Sequence, residues 1–275
     1  MEQLVNLKNR IKAVGTIKKI THAMRLISMS NHSKLRTKKE FLATYSQEVK
    51  RIGTIINSLV QQDQIQENKI KKTLIIIIAS EKGLCGNFNS KLFIFIKKAY
   101  PFNEKHDLIT VGKQAAIYTR TDLKKETIKN FDIFNSLNFI KISQDLTNFI
   151  LENHYTDVII FSNYQKTFFV QQSKKTNLLS IKKDSDTKIN QLDIQDYLWA
   201  QKPEEINEKL KKVMISVNLQ ELLFESLLAE QASRFISMDN ATRNAEQLIN
   251  QMKLNYNKIR QTSITRELTE LSSSI

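Results

Sequence analysis

The chain has 275 residues, 41% of them hydrophobic, which suffices for one or two domains with a sizeable core, and 42 Lys+Arg against 28 Asp+Glu give it a net charge of +14. Its single cysteine, Cys85, excludes an internal disulfide and a multi-cysteine metal site and fits a reducing compartment. The longest strongly apolar run, LIIIIA at 74–79, is far short of the roughly 20 residues of a membrane span; charges also interrupt the first thirty residues, so no signal-peptide block is expected and the mature chain is expected to begin near Met1.

The first element is a long helix. Residues 1–72 contain no proline, and Gly15 and Gly53 stand alone inside helical patterns, where each costs about 1 kcal/mol against alanine without ending the helix. Leu4, Leu7, Ile11 and Val14 open an apolar seam; Ile17, Ile20, Met24 and Ile27 are read as its middle, and Leu42, Tyr45, Val49, Ile52, Ile56 and Leu59 as its continuation. Sixty residues at 1.5 Å each span about 90 Å, several times a small domain's width, so such a helix is expected to protrude. Residues 1–60 hold 12 Lys+Arg against 3 Asp+Glu, so the cationic field belongs mainly to this arm. A basic helix face suits solvent, nucleic acid, anionic lipid or an acidic protein, and charge does not choose among them.

A compact α/β unit follows. TLIIIIAS (73–80), DLITVG (107–112) and TDVIIFSN (156–163) are apolar, β-branched runs of the kind found in strands buried on both faces, with helical stretches NSKLFIFIKKAY and SQDLTNFILEN between them. QKTFFVQQ and TNLLSIKK read as added strands, with an antiparallel direction open to them. The order predicts a Rossmann-like α/β layer fold inserted between helical arms, over 73–202. The loop SEKGLCGNFN (80–89) follows the first strand, but it has neither GxGxxG nor the phosphate loop ending in GK[ST], so a tight structural turn is the better reading, with Glu81, Gly83 and Gly86 structural. Cys85 lacks a recognisable base and orienting group, and His22, His32, His106 and His154 are scattered. No catalytic residue, cofactor or metal is expected.

From Pro203 to Ile275 a second long helix is predicted, opened by Pro203, Glu204 and Glu205, which suit a helix start. Its seam is read through Leu210, Val213, Val217, Phe224, Leu227, Ala241, Ala245, Leu248, Met252, Tyr256 and Ile259 to Ile264, Leu268 and Leu271. The fold class is thus α/β, with helices 1–72 and 203–275 paired as a long antiparallel coiled coil around the inserted domain. The register expected is one in which paired residue numbers sum to about 266, placing Met24 by Thr242 and Ile27 by Met238.

Four segments, IKKITHAMRLISMS, SEKGLCGNFN, SLLAEQASRFISMDNATRNAEQLI and YNKIRQTSITRELTEL, stand in the order and at the spacing of the gamma subunit of the F-type ATP synthase and closely resemble it, across essentially the whole chain. Glu81 and Lys82 stand where that family usually carries Asp and Arg, and WAQKP lacks the acidic residue common before the proline. The resemblance implies a central rotary shaft, itself non-catalytic, that couples rotation of the membrane c ring to conformational cycling of the catalytic beta subunits. Its partners would be the alpha and beta subunits of a hexamer, the epsilon subunit and the c ring, with membrane contact only through them, at the cytoplasmic face of a bacterial cell membrane. By the same resemblance Lys18, Lys19, Met24 and Arg25 would face acidic lever segments of beta. Arg260, Gln261, Thr265 and Arg266 would make an upper contact with beta, and Ile264, Leu268 and Leu271 would fill an apolar sleeve. Seam packing is the other reading of Met24, and a solvated face that of Arg260 and Arg266. The competing function, a basic coiled coil on nucleic acid, calls for aromatic or amide readout residues among the cations; residues 17–40 offer no aromatic and one such amide, Asn31.

Overall fold

The computed structural model describes residues 2–59, 72–99, 106–179 and 203–273. The elements in chain order are α1 (Glu2–Leu59), β1 (Thr73–Ile78), α2 (Phe88–Ala99), β2 (His106–Val111), α3 (Lys113–Tyr118) running into a π-helical turn (Thr119–Leu123), β3 (Lys129–Phe131), α4 (Phe139–Glu152), β4 (Asp157–Thr167), β5 (Val170–Asn177) and α5 (Pro203–Ser272). They form two compact units. One is 32–233; the other pairs Met1–Asn31 with Arg234–Ile275, so each long helix contributes to both.

In the larger unit the strand order is β3-β2-β1-β4-β5. β3, β2, β1 and β4 run parallel, and β5 returns antiparallel to β4. This is a Rossmann-like half with an added edge strand, as the alternation of apolar runs and helices predicts. β1 explains the layering. Leu74, Ile76 and Ile78 point to one face, where α4 (Ile142, Leu146, Ile150) and the lower part of α5 (Leu219, Leu222, Leu223, Leu227) cover them. Ile75, Ile77 and Ala79 point to the other, against Leu92 and Ile96 of α2 and Ala115 and Tyr118 of α3. A strand buried on both sides has no polar face to show, hence the unbroken run of β-branched residues. At the end of β2 the chain comes too close to β1 for any side chain. Gly112 has φ 89°, and a Cβ there would lie 2.2 Å from the Ala79 carbonyl oxygen. Only glycine fits both the angle and the gap.

Two expected strands need correction. QKTFFVQQ is not a strand of its own: its first residues end β4, Phe168 and Phe169 make the turn, and Val170 begins β5. The turn has none of the Gly or Asn that announces a hairpin. The Gln171 side-chain amide donates to the Phe168 carbonyl at 2.8 Å and closes it instead. TNLLSIKK supplies only the last residues of β5, which ends at Asn177, and its part beyond 179 lies outside the described residues. β3 was not foreseen. Three residues without an apolar run give no periodic signal, and the strand is held by pairing with β2 and by Thr110, whose hydroxyl donates to Asn130 Oδ1 at 2.7 Å.

In the smaller unit the two helical segments are antiparallel, as three cross-pairs show: Lys18 with Glu246, Thr21 with Thr242, and Arg25 with Asp239. The register lies within about three residues of the one expected, less than one helical turn.

Candidate functional site

In doubly wound sheets ligands sit beyond the carboxyl ends of the strands, where the strand order reverses; here that is the crevice between β1 and β4. The loop 80–89 lies there and bonds to itself. The Asn89 amide donates to Ser80 Oγ (2.8 Å) and toward Cys85 Sγ (3.3 Å), and the Ser80 backbone N–H donates to Asn89 Oδ1 (3.2 Å). Leu84 and Gly86 both take positive φ, 63° and 59°, which turns the chain sharply enough to fold the loop inward. From across the crevice, Asn163 of β4 donates to the Phe88 carbonyl at 2.9 Å. From α5, the Ser233 hydroxyl donates to the Cys85 carbonyl at 2.8 Å, and Ala229 packs on Cys85 and Phe88. The place where a Rossmann protein would hold a ligand is therefore filled by this chain's own loop and helix. The Cys85 thiol is 2% exposed, beside the Ser80 hydroxyl and the Asn89 amide, neither of them a base. Glu81, read as structural, accepts the Phe134 N–H at 3.1 Å and ties this loop to the start of the α4 segment. Among the described residues no group of His, Cys, Asp and Glu is arranged to hold a metal ion.

The smaller unit is where the candidate partner residues gather, and here the seam differs from the one read in the sequence. Leu4, Leu7, Ile11 and Val14 are partly buried, as expected. Continued strictly in steps of four and three, that pattern arrives at 18, 21, 25 and 28, and these are the positions turned inward. Thr21 is 9% exposed and Ser28 1%, while Ile17, Ile20 and Ile27 are 53%, 55% and 59% exposed. The apolar residues slip back by one position after Val14, but the helix does not, so the polar residues inherit the seam. Met24 is half-buried at its edge. On α5 the inward positions are Met238, Thr242, Ala245, Ile249, Met252, Tyr256 and Ile259, with Leu248 outside at 41% exposed where the sequence reading had placed it inside. Three isoleucines left half exposed forgo roughly 1 kcal/mol of burial each.

What fills the seam is a matched set of polar groups. The Thr242 hydroxyl bonds the Thr21 hydroxyl at 2.9 Å and donates to the Met238 carbonyl. Arg25 Nη1 lies 2.6 Å from Asp239 Oδ1, and Arg243 Nη2 takes Oδ2 at 2.6 Å, so both carboxylate oxygens are bonded. Hydrogen bonding from Arg25, with the charges of Arg243 and Arg25, holds the Asp239 carboxyl below its ordinary range. Lys18 Nζ lies 2.7 Å from Glu246 Oε1 and lowers that carboxyl in the same way. Lys19, by contrast, is exposed and makes no ion pair among the described residues. Of the cations expected to meet acidic levers, then, Lys18 and Arg25 are already engaged by α5.

Near the end of α5, Arg260, Gln261, Thr265 and Arg266 are exposed, as are Ile264 (48%), Leu268 (62%) and Leu271 (64%). Ile264, Leu268 and Leu271 follow one another at steps of four and three and so share one helix face. Arg266 is paired along its own helix with Glu270 at 2.8 Å. The hydroxyls here and elsewhere in the arms bond back to their own helix. Thr16 donates to the Lys12 carbonyl, Ser28 to Met24, Thr262 to Lys258, Thr265 to Gln261 and Thr269 to Thr265. Sequence reading missed Thr21, Asp239 and Glu246 and set Thr242 opposite Met24 instead of Thr21, although strict continuation of the heptad from Leu4 would have found the α1 half. Ser233, Asn89 and Asn163 carry no local signal at all.

A crevice filled by the chain's own loop and a helix pair with a polar stretch in its seam define an α/β protein with two long helical arms. A family model described as ATP synthase matches residues 3–275, and the chain belongs to that family. Its relatives include proteins named ATP synthase gamma chain from Mycoplasma mobile, 31% identical over 98% of this chain and 97% of the relative, and from Christiangramia forsetii, 28% identical over 98% and 97%. Another from Clostridium acetobutylicum is 31% identical over 98% and 95%. Among solved structures, a chain of the Euglena gracilis mitochondrial ATP synthase (OSCP/F1/c-ring) matches with a TM-score of 0.69 at 14% identity, covering 99% of this chain and 93% of that one. A chain of the Tetrahymena thermophila mitochondrial ATP synthase central stalk and c-ring matches with a TM-score of 0.57 at 21% identity, covering 81% and 99%. At those identities the structural matches speak for the fold.

Proposed function

We propose that this chain is the central shaft of a proton-translocating F-type ATP synthase. The observation that carries the proposal is family membership over nearly the entire length, both arms included, together with relatives named gamma chain that are matched almost end to end. The arms stand in the bore of the alpha and beta hexamer, and the α/β unit meets the epsilon subunit and the c ring. Rotation of the ring turns the shaft and drives the three beta sites through their conformations, in the direction of ATP synthesis or of hydrolysis. The chain itself is non-catalytic, a reading supported by the filled crevice at the head of β1. It is peripheral, touching the membrane through its partners at the cytoplasmic face of a bacterial cell; among the described residues no helix is long and apolar enough to cross a bilayer.

Lys19 and Met24, with Lys18 and Arg25 beside them, face the beta levers. Arg260, Gln261, Thr265 and Arg266 make the upper contact, with Ile264, Leu268 and Leu271 in the sleeve. Affinity purification of the tagged full chain from its own cell tests the assignment. Recovery with stoichiometric alpha and beta subunits is expected. Recovery with nucleic acid and without those subunits would overturn it.

A further inference from the structure

The α1 segment 17–28 has two candidate seam faces one residue apart, and the apolar one is turned outward. Burial alone favours the opposite choice, since Ile17, Ile20 and Ile27 would gain by facing α5. Two features oppose that rotation. Thr21, Ser28, Thr242 and Ala245 are small and buried, so the seam at this level has no room prepared for isoleucine. The groups Lys18, Thr21 and Arg25 also have partners at Glu246, Thr242 and Asp239 that only the observed face can reach.

We propose that Lys18, Thr21 and Arg25, with their partners on α5, are positioning residues that fix the rotation of α1 about its own axis and so present Ile17, Ile20, Met24 and Ile27 to the beta subunits. This deepens the shaft reading and rests on it for the identity of the occupant. The levers ride on an aliphatic stripe, with Lys12 and Lys19 as exposed cations on the same helical segment and Lys18 and Arg25 at its margin, each already paired with a carboxylate of α5. The partner surface it fits is apolar with acidic residues at its margin.

The test is the maleimide reaction rate of single cysteines placed in the full chain with Cys85→Ser. In the otherwise unchanged chain, Ile17→Cys and Ile27→Cys should react on the order of tenfold faster than Ser28→Cys, which sits in the protected seam. Glu246→Lys, which sets two ammonium groups against each other, should narrow that ratio severalfold, and Lys18→Glu added to it should restore the ratio by re-forming the pair with reversed polarity. Asp239→Asn with Thr242→Val should narrow it further. Should that variant lose its helical signal, the nearly isosteric Thr21→Val with Thr242→Val carries the same comparison. A ratio unchanged by pair removal, whatever happens to thermal stability, overturns the positioning role. The occupant is tested separately in the assembled complex. Ile17→Cys should be protected there, and labelling at the rate of the isolated chain would overturn the lever assignment while leaving both the positioning role and copurification to stand or fall on their own measurements.

Discussion

β1 and the inner face of α1 over residues 18–28 each line the inside of their unit, and they are made of opposite materials. Along β1, Leu74, Ile75, Ile76, Ile77 and Ile78 are all 0% exposed and touch apolar side chains on both faces. Along the seam, Lys18, Thr21, Arg25 and Ser28 follow one another at heptad spacing; the first three meet carboxylates and a hydroxyl of α5, and Ser28 donates to the Met24 carbonyl. The difference concerns what each interior must guarantee. Apolar packing yields stability with loose demands on partner identity, since many arrangements bury the same area. Paired polar groups add little net stability, but they penalise every arrangement that leaves one of them unmatched. The α/β unit is built to persist, and the arm to hold one geometry.

The contrast places the largest single effect in the α/β unit. Gly112→Ala, which drives a methyl into the Ala79 carbonyl at a positive φ, should cost about 3–5 kcal/mol and abolish cooperative melting of that unit at moderate temperature. A circular-dichroism melt that retains the wild-type transition would refute the account of β1 and β2. Leu92→Ala, a cavity at a fully buried position between α2 and β1, should cost about 2–5 kcal/mol with an unchanged urea slope. Ser233→Ala removes the hydroxyl that holds the Cys85 carbonyl and should cost about 1–2 kcal/mol. Its sharper signature is faster reaction of Cys85 with a thiol reagent, because the loop over it loses its tie to α5.

The smallest effect separates the two units by pH. The carboxyls of Asp239 and Glu246 are held below their ordinary range in the folded chain, so their contribution is complete above the unfolded value of about 4 and is lost as pH falls through the folded values. Acidification below about pH 4 should therefore loosen the arm while the core around β1, whose fully buried side chains Leu74 to Ile78 are apolar, keeps its protection. Hydrogen exchange resolved by segment measures this, and simultaneous loss in both units would remove the distinction.

How much of this could be read from the sequence depended on which physical signal dominated locally. β1, β2 and β4 declared themselves because burial on both faces demands continuous β-branched runs. The two long helices declared themselves because nothing interrupts them. The hairpin at Phe168 and Phe169 was hidden, since its closure comes from the Gln171 side chain and not from turn residues. The inner face of α1 was misread for a subtler reason. Hydrophobicity was followed from Val14 to Ile17, whereas helix geometry continues from Val14 to Lys18. Where the two disagree, geometry decides which residue faces in, and the partners on α5 decide whether it is tolerated. Those partners lie more than 200 positions away in the chain, beyond the reach of any local pattern. The ties between the 80–89 loop, β4 and α5 are hidden for the same reason.

The hydroxyls of the arms have one more consequence. Thr16, Thr262, Thr265 and Thr269, all exposed, each give their proton to a carbonyl of their own helix. A donor committed in this way has nothing to offer a surface that slides past it, and a carbonyl that already accepts a second proton is a poorer target for one. At these positions a surface moving along the arm finds no uncommitted hydroxyl proton, and its side-chain hydrogen bonds fall instead to exposed amides such as Asn6, Asn250 and Gln261. Drag on anything turning against these helices is therefore set by shape, by those amides and by exposed cations such as Lys12 and Lys19.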